Sequence, residues 1–422
     1  MTPGTSTSER IDALLRGDPD AVADPYPLYR DLRDLGPAVR HKDVVLVSRF
    51  DSAKRVLTLP TTLQGFTSLD GKRFIEATSG ADEERVRLLT EFCSFYDLRV
   101  GATNGQRHRD LRRIAVTALT PKAVSDLTER VRVIVAELLD EVDGDAGFDV
   151  IPSLAYQLPL IVICELLNIE ADKSLIRQCA EDIAAFFGSD WRTTESLYDA
   201  HRSLFALRAY IVRSLESADQ ERNSPLMARM RAAHESSEFP FTYEDLAATA
   251  TQFVFAGHET TTNQLANGLL ELLGDWRSEW DALVADDSLL PQCIEELLRF
   301  TPSVQMLQKR AGFDGELEGV RVEHTDTVMI IYASANRDER VFDDPDRLDI
   351  TRKASNHLGF GAGAHYCLGA SLTRLELQTA FQALRTRFPK LELADQDLRW
   401  RPNYMLRGLE GLWVRQPTEA VA

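Results

Sequence analysis

Phe360-Gly361-Ala362-Gly363-Ala364-His365-Tyr366-Cys367-Leu368-Gly369 is the stretch on which the reading of the whole chain turns. Four of its positions matter most: Phe360, Gly363, Cys367 and Gly369. Glycines crowd the segment before a single cysteine, and an apolar helical pattern begins just after it, at Leu372, Leu375, Leu377, Phe381 and Leu384. Backbone without side chains can approach a large flat object closely. The helix that follows puts the sulfur at its positive end, where free N–H groups favour a thiolate. A thiolate held in this way is a ligand for a soft or redox-active metal.

Three readings of the stretch compete. A buried structural cysteine is the ordinary fate of such a residue. Gly359, Gly361 and Gly363 also resemble a dinucleotide-binding loop, but that loop must follow a strand within a βαβ unit. Here the preceding residues, Lys353 to His357, are polar and not strand-like. The third reading is haem-thiolate ligation. The spacing Phe-x-x-Gly-x-x-x-Cys-x-Gly resembles the cysteine loop of the cytochrome P450 family, and it is far more specific than a lone glycine-rich loop. The resemblance implies a haem b whose iron takes Cys367 as axial ligand, with Phe360, Gly363 and Gly369 shaping the cradle.

The rest of the chain sets bounds on this. Its 422 residues suit two or three ordinary domains or one large fold, and 44 % hydrophobic residues can bury a substantial core. A net charge of −18 argues against nucleic acid as a partner. Five scattered cysteines, Cys93, Cys164, Cys179, Cys293 and Cys367, contain no CxxC pair. That pattern fits a reducing cytoplasm and excludes zinc-ribbon and ordinary iron–sulfur sites, which need clustered thiols. No signal peptide is visible, and the polar residues 1–20 are expected to be a flexible N-terminus ahead of one catalytic domain, 21–422. No apolar run reaches the length of a membrane span. The longest, Leu158 to Leu167, is interrupted by Glu165 and reads as a core helix.

Taken in order, the chain first shows a short helix opening at Asp24-Pro25-Tyr26-Pro27, a strand at Val44–Val47 and a helix from Phe50 to Leu57. Thr61 to Thr103 reads as irregular, and connections of that length are usually functional. In the family this region caps the substrate pocket. At Gly105 a helix begins that carries four arginines, Arg107, Arg109, Arg112 and Arg113, on an otherwise acidic chain. In isolation this is a solvated basic face. His108 and Arg112 are four apart and share one face, so together they suit a dianionic group such as the two haem propionates. The resemblance gives them that role. It also implies a ferredoxin- or flavodoxin-type electron donor, with its reductase, docking near Arg107, Arg109 and Arg113.

From Pro121 to about His234 the pattern is of successive amphipathic helices, including Val124 to Val142, with Phe186, Phe187 and Trp191 between them as core or pocket wall. A long helix is predicted from Thr242 to Gly274, opened by a capping pair of Thr242 and Asp245. Its middle, Ala247 to Ala256, is apolar nearly all round and should be buried. The composition then breaks at Ala256-Gly257-His258-Glu259-Thr260-Thr261-Thr262. One account is a tolerated glycine with threonines bonding back to the helix. The other is a functional interruption, because local rules fail most often at sites. Gly257 would admit a ligand or bend the helix. The resemblance assigns Glu259 and Thr260 to proton delivery toward bound oxygen.

A helix from Pro291 to Phe300 carries Glu296 and Arg299, a pair worth little at a surface. With Arg347 in Phe342-Asp343-Asp344-Pro345-Asp346-Arg347 they match the family's buried Glu-Arg-Arg network behind the cysteine loop. Leu317–Val322 and Thr327–Tyr332 read as strands, and Leu412–Val414 as a closing strand. By position, Arg310 and His357 match family residues that contact haem propionates. Gln252, Ala256, His258, Asn263, Gln305, Met306 and Met405 are the pocket candidates, and the polar ones among them suggest a substrate with hydrogen-bonding groups.

The expectation is therefore a mainly α protein with smaller β sheets, the single-domain cytochrome P450 fold, with haem between the long helix and the cysteine loop. Such an enzyme activates O2 with electrons that originate in NAD(P)H and hydroxylates a small organic substrate, as in secondary metabolism. No nucleic acid and no membrane anchor is expected, and the location is cytoplasmic. Oxidative C–C or C–N coupling without oxygen insertion is an alternative. A non-catalytic haem-fold protein that recruits partners is a third reading, which the intact cysteine and the Glu259–Thr260 pair disfavour.

Overall fold

The computed structural model describes the chain apart from residues 1–5, 65–82, 117–118, 168, 170–172, 189–193, 217–224, 236–240, 355 and 418–422. The chain divides into two compact units. One comprises Met1–Thr62, Val124–Pro159 and Thr260–Ala422, and the other Leu63–Ala123 and Leu160–Glu259.

The first unit is built on a sheet whose strands run in the order Ala38–His41, Val44–Val47, Thr327–Ile331, Met306–Ala311 and Thr62–Leu63. Ala38 pairs with Val47 across a tight antiparallel turn at Lys42, whose φ is +53°. Val44 lies parallel to Thr327, and Met306 antiparallel to Ile331. Successive residues of a strand face opposite sides. Val45, Val47, Val328 and Ile330 pack with the helix Phe50–Thr58 on one side. Leu46, Met329, Ile331 and Met306 pack on the other under the helices Thr7–Leu15 and Tyr26–Leu35. Met306 and Leu307 thus belong to different faces, and so do Lys309 and Arg310.

Two sequence expectations change here. Within the segment expected to be flexible, Thr7–Leu15 is a helix capped by a box between the Ser6 hydroxyl and Glu9, and its Ile11 and Leu14 are buried. The predicted strand 317–322 is a hairpin, Gly315–Leu317 against Val320–Val322, because Glu318 and Gly319 take positive φ values of 53° and 83°.

The second unit is helical: Glu83–Tyr96, Gly105–Val116, Lys173–Gly188, Thr194–Glu216 and Pro225–Glu235. Residues 61–103 are therefore less irregular than expected. Leu88, Leu89, Phe92, Cys93, Phe95 and Tyr96 recur at helical spacing and are all buried. Phe92 stacks on Tyr96 and meets Phe186, which settles Phe186 as core; Trp191 and the Phe187 side chain lie outside the described residues.

A 31-residue helix, Tyr243–Leu273, crosses from the second unit into the first between Glu259 and Thr260. At about 1.5 Å per residue it spans roughly 46 Å. Its cap is reciprocal: Asp245 N–H donates to Thr242 Oγ1 at 3.2 Å, and Thr242 N–H to the Asp245 carboxylate at 2.8 Å.

Candidate functional site

In the first unit the cysteine loop is shaped by its own backbone. Gly361 N–H donates to Leu358 O at 2.8 Å, Tyr366 N–H to Gly363 O at 3.1 Å, and Cys367 N–H to Phe360 O at 3.0 Å. Gly361 and Gly363 have φ values of +69° and +73°, which favour glycine. A Cβ on Gly363 would also lie 3.1 Å from Thr58 Cγ2 and 3.2 Å from Leu57 O. Gly369 is different. It caps the helix Ala370–Arg387 at φ −84°, and a Cβ there would make only ordinary contact, 3.9 Å from Cys367 Sγ. No side chain caps this helix start, so its first N–H groups remain directed at the cysteine end.

Cys367 is exposed, whereas Cys93, Cys164, Cys179 and Cys293 are buried. Burial pushes the Cys93 thiol up to about 12, and Cys179 and Cys293 higher still. Among the five, Cys367 alone is exposed.

A clamp holds this loop from behind. Glu295 takes Arg374 in a two-pronged bond of 2.6 and 2.9 Å and His357 Nε2 at 3.2 Å. Against the cost of burial, these partners hold its carboxyl down at about 2. Arg374 lies 4.6 Å over the Phe360 ring. His357 Nδ1 accepts the Gly359 N–H at 2.9 Å, so both ring nitrogens serve the protein itself.

The Arg310 guanidinium donates to Thr325 O and Thr327 Oγ1, and burial holds it down at about 10. Strand alternation turns Lys309 to the other face, the one lined by Leu57, Leu358 and Ala362. Lys309 is 2 % exposed and donates to Leu57 O at 3.2 Å and Thr62 Oγ1 at 3.3 Å. Among the described residues no carboxylate pairs with it, and burial lowers its ammonium to about 8. The same Leu57 carbonyl approaches Gly363, so Lys309 sits one atom behind the cysteine loop.

Glu296 and Arg299 form the expected pair, both fully buried, with two bonds of 2.7 Å. Arg299 also reaches the carbonyls of Asn336, Pro345 and Arg347. The third guanidinium is not that of Arg347, which is exposed and gives only its carbonyl. It is Arg352, whose Nε donates to Glu296 Oε1 at 3.1 Å.

In the second unit His108 is buried, and its imidazole is pushed down by burial and then by the charges of Arg112 and Arg109. Of the arginines expected to dock a donor, Arg107 is bound to Asp245, while Arg109 donates to Gln106 at 2.6 Å and Arg113 lies 3.6 Å from Asp110.

The long helix shows an accessible stripe at four-residue spacing. Gln252 and Thr260 are half-buried and Ala256 is exposed, although Val254, His258, Glu259 and Thr261 around them are buried. Gln252 is committed, since its Oε1 accepts Gly101 N–H at 2.9 Å; Thr249 Oγ1 likewise accepts Val100 N–H at 3.2 Å. A Cβ on Gly257 would meet Ile163 Cδ1 at 3.3 Å, so this glycine admits a neighbouring helix and not a ligand. Gln305 accepts from Tyr29 OH at 3.3 Å and donates to Pro302 O at 2.6 Å. Met306 lies in the core, with Met405 packed against it, and Asn263 lies against Gly408. Gln252 and Gln305 thus both bond to groups of the protein itself.

Three residues went unnoticed in the sequence. Lys309 was legible from strand alternation, and Arg352 only from the folded loop. His365, half-buried and two residues before Cys367, stood within the opening stretch itself.

In the first unit a haem-sized ligand fits an exposed cysteine on a glycine-shaped loop. Residues 178–404 match the cytochrome P450 family. The chain is 33% identical to cytochrome P450 monooxygenase PikC of Streptomyces venezuelae over 98% of this chain and 96% of the relative. It is 35% identical to nocardicin C N-oxygenase of Nocardia uniformis subsp. tsuyamanensis over 93% and 95%. The solved structure of the bacillaene polyketide synthase cytochrome P450 PksS of Bacillus subtilis 168 matches with a TM-score of 0.82 at 28% identity, covering 96% of this chain and 99% of that one. The chain belongs to the cytochrome P450 family and is a monooxygenase of that family, an oxidoreductase. Members of the family use haem and O2 and take electrons from a donor. No helix among the described residues is long and apolar enough to cross a membrane.

Proposed function

We propose that this enzyme hydroxylates a small organic substrate of secondary metabolism at a haem b bound through Cys367. The observation that carries the proposal is the outward Cys367 sulfur at an uncapped helix start, behind glycines whose conformation and space exclude other residues. When bound, haem supplies the oxidation: RH, O2, two electrons and two protons give ROH and water.

The chain's own residues do the rest. Cys367 would hold the haem iron as a thiolate, whose electron density favours O–O cleavage. His108, Arg112, Arg310 and His357 would hold the haem carboxylates, with Lys309 and His365 as further donors. Thr260 presents its hydroxyl on the accessible stripe and holds a proton there, and the buried Glu259 resupplies it. Ala256, on the same stripe, sets the room available to the substrate. Electrons come from NAD(P)H through a reductase and a ferredoxin or flavodoxin, which docks near Arg109 and Arg113. Five cysteines without a disulfide suit a reducing, cytoplasmic setting. We read residues 21–422 as one catalytic domain.

The test is the visible spectrum of the reduced protein under carbon monoxide, followed by turnover in isotopically labelled O2. A strongly red-shifted Soret band and a product carrying one labelled oxygen are expected. The spectrum of a histidine-ligated haem would overturn the Cys367 assignment. A product lighter by two hydrogens, with no label, would replace hydroxylation by oxidative coupling.

A further inference from the structure

The helix that follows Cys367 buries one carboxyl for which no ion pair is seen. Glu376 is 2 % exposed, and burial lifts its carboxyl to about 8. Only the hydroxyl of Thr261, which is 1 % exposed, works against that shift. Thr261 Oγ1 in turn lies 3.4 Å from Thr373 Oγ1, one turn before Glu376 on the same helix. Glu376, Thr261 and Thr373 thus join the helix after Cys367 to the turn of the long helix that begins at Thr260.

The charged groups on the surrounding elements are engaged elsewhere. On Leu290–Phe300, Glu295 holds Arg374 and His357, and Glu296 holds Arg299 and Arg352. On Thr128–Asp140, Arg132 pairs with Glu129 at 3.5 Å and Arg130 with Glu137 at 3.9 Å. On Arg277–Ala285, Arg277 pairs with Asp281, and Glu279 accepts Ile350 N–H. Farther along the long helix, Glu271 is turned toward Thr301 and Arg407. On its own helix, Arg385 donates to Leu283 O and Gln382 and lies 3.5 Å from Asp287, and Arg387 pairs with Asp140. None of these contributes to the shift at Glu376.

We propose that Glu376 is a positioning residue for Thr260: buried against Thr261, which also meets Thr373, it fixes that turn of the long helix against the helix after Cys367. Loss of its proton to water would leave a carboxylate without a cation in a dry site. The turn must then shift or take up water. The proposal rests on the reading of Thr260 as a residue of the oxygen site. It adds that the orientation of Thr260 has an alkaline limit set ten ångströms or so down another helix, by the helical rise of about 1.5 Å per residue.

The experiment uses the haem-loaded enzyme with carbon monoxide as the probe and infrared spectroscopy as the readout. The C–O stretch senses nearby hydroxyls, and the carboxylic acid band reports Glu376 directly. In the natural protein an acid band should be present at pH 7 and vanish above about pH 8, and the C–O stretch should shift over the same range. Glu376→Gln keeps a neutral hydrogen-bonding group. It should lose the acid band and hold the low-pH C–O stretch at every pH. Glu376→Leu should show a displaced stretch already at pH 7. A pH-dependent C–O shift in Glu376→Gln equal to that of the natural protein would overturn the positioning role. So would an unshifted stretch in the natural protein while its acid band titrates. If Thr260→Ala leaves the C–O stretch unchanged, Thr260 does not meet the oxygen site and the functional reading fails on its own account.

Discussion

The most discriminating perturbation concerns the buried Glu296 and its second guanidinium. Arg352 places Nε 3.1 Å from Glu296 Oε1, with its side chain 15 % exposed, and its other nitrogens reach the carbonyls of Asp343 and Asp344. A hydrogen bond to a charged, buried partner contributes about 1.5–3 kcal/mol, and the exposed bonds to carbonyls add little. Glu296 keeps Arg299 when Arg352 is lost, so the full penalty of stranding a buried charge does not apply. Arg352→Gln should therefore cost about 2 kcal/mol, roughly a thirtyfold shift in the unfolding equilibrium. Arg347→Gln keeps the one group that Arg299 uses, its carbonyl, and should change stability by no more than about 0.5 kcal/mol. The assay is urea unfolding of the haem-loaded protein, followed through its thiolate spectrum. The midpoint should fall for Arg352→Gln and stay for Arg347→Gln, and the double variant should match the first. A midpoint lowered as much by Arg347→Gln would refute the assignment of the third arginine.

Three further outcomes are expected. Glu295 is held at about 2, below its usual value of 4.5, so its clamp contributes fully above 4.5 and is lost as pH falls toward 2. Haem retention should weaken over that acid range in the natural protein, and a Glu295→Gln variant that keeps the same acid profile would show that another group controls it. Lys309→Met and Arg310→Gln should each speed haem transfer to an apoprotein scavenger severalfold, and the natural rate in either variant would remove that residue from the carboxylate site. Gly363→Ala should cost at least about 1–2 kcal/mol for its left-handed backbone, whereas Gly369→Ala, with φ −84°, should be nearly neutral in the same unfolding assay.

The sequence revealed what depends on local pattern. The long helix was legible because its cap and its apolar run are contiguous, and the cysteine loop because its glycines and its sulfur lie within ten residues. What stayed hidden depends on which way a side chain turns. Arg310 and Lys309 are equally cationic neighbours, and only the pairing of the strand with Thr327–Ile331 decides which of them faces the loop. Nor does the sequence tell that Gly359 and Glu295 meet the two nitrogens of His357. Gly257 looked like an opening for a ligand, yet the space belongs to Ile163. The helix Glu83–Tyr96 was missed because charged residues dilute its apolar spacing in the first turn.

The stripe Gln252–Ala256–Thr260 has a bearing on engineering. Its three members look alike as targets for a library meant to broaden what the enzyme accepts, but they are not interchangeable. Randomising Gln252 would cut the tie to Gly101 and loosen the loop before Asn104, so most clones would be lost to instability. On the proposed role of Thr260 in proton supply, randomising it would trade selectivity against wasted reducing power. Ala256 carries neither burden. It is the position where diversity costs the scaffold least, and where a recombinant catalyst is best tuned first.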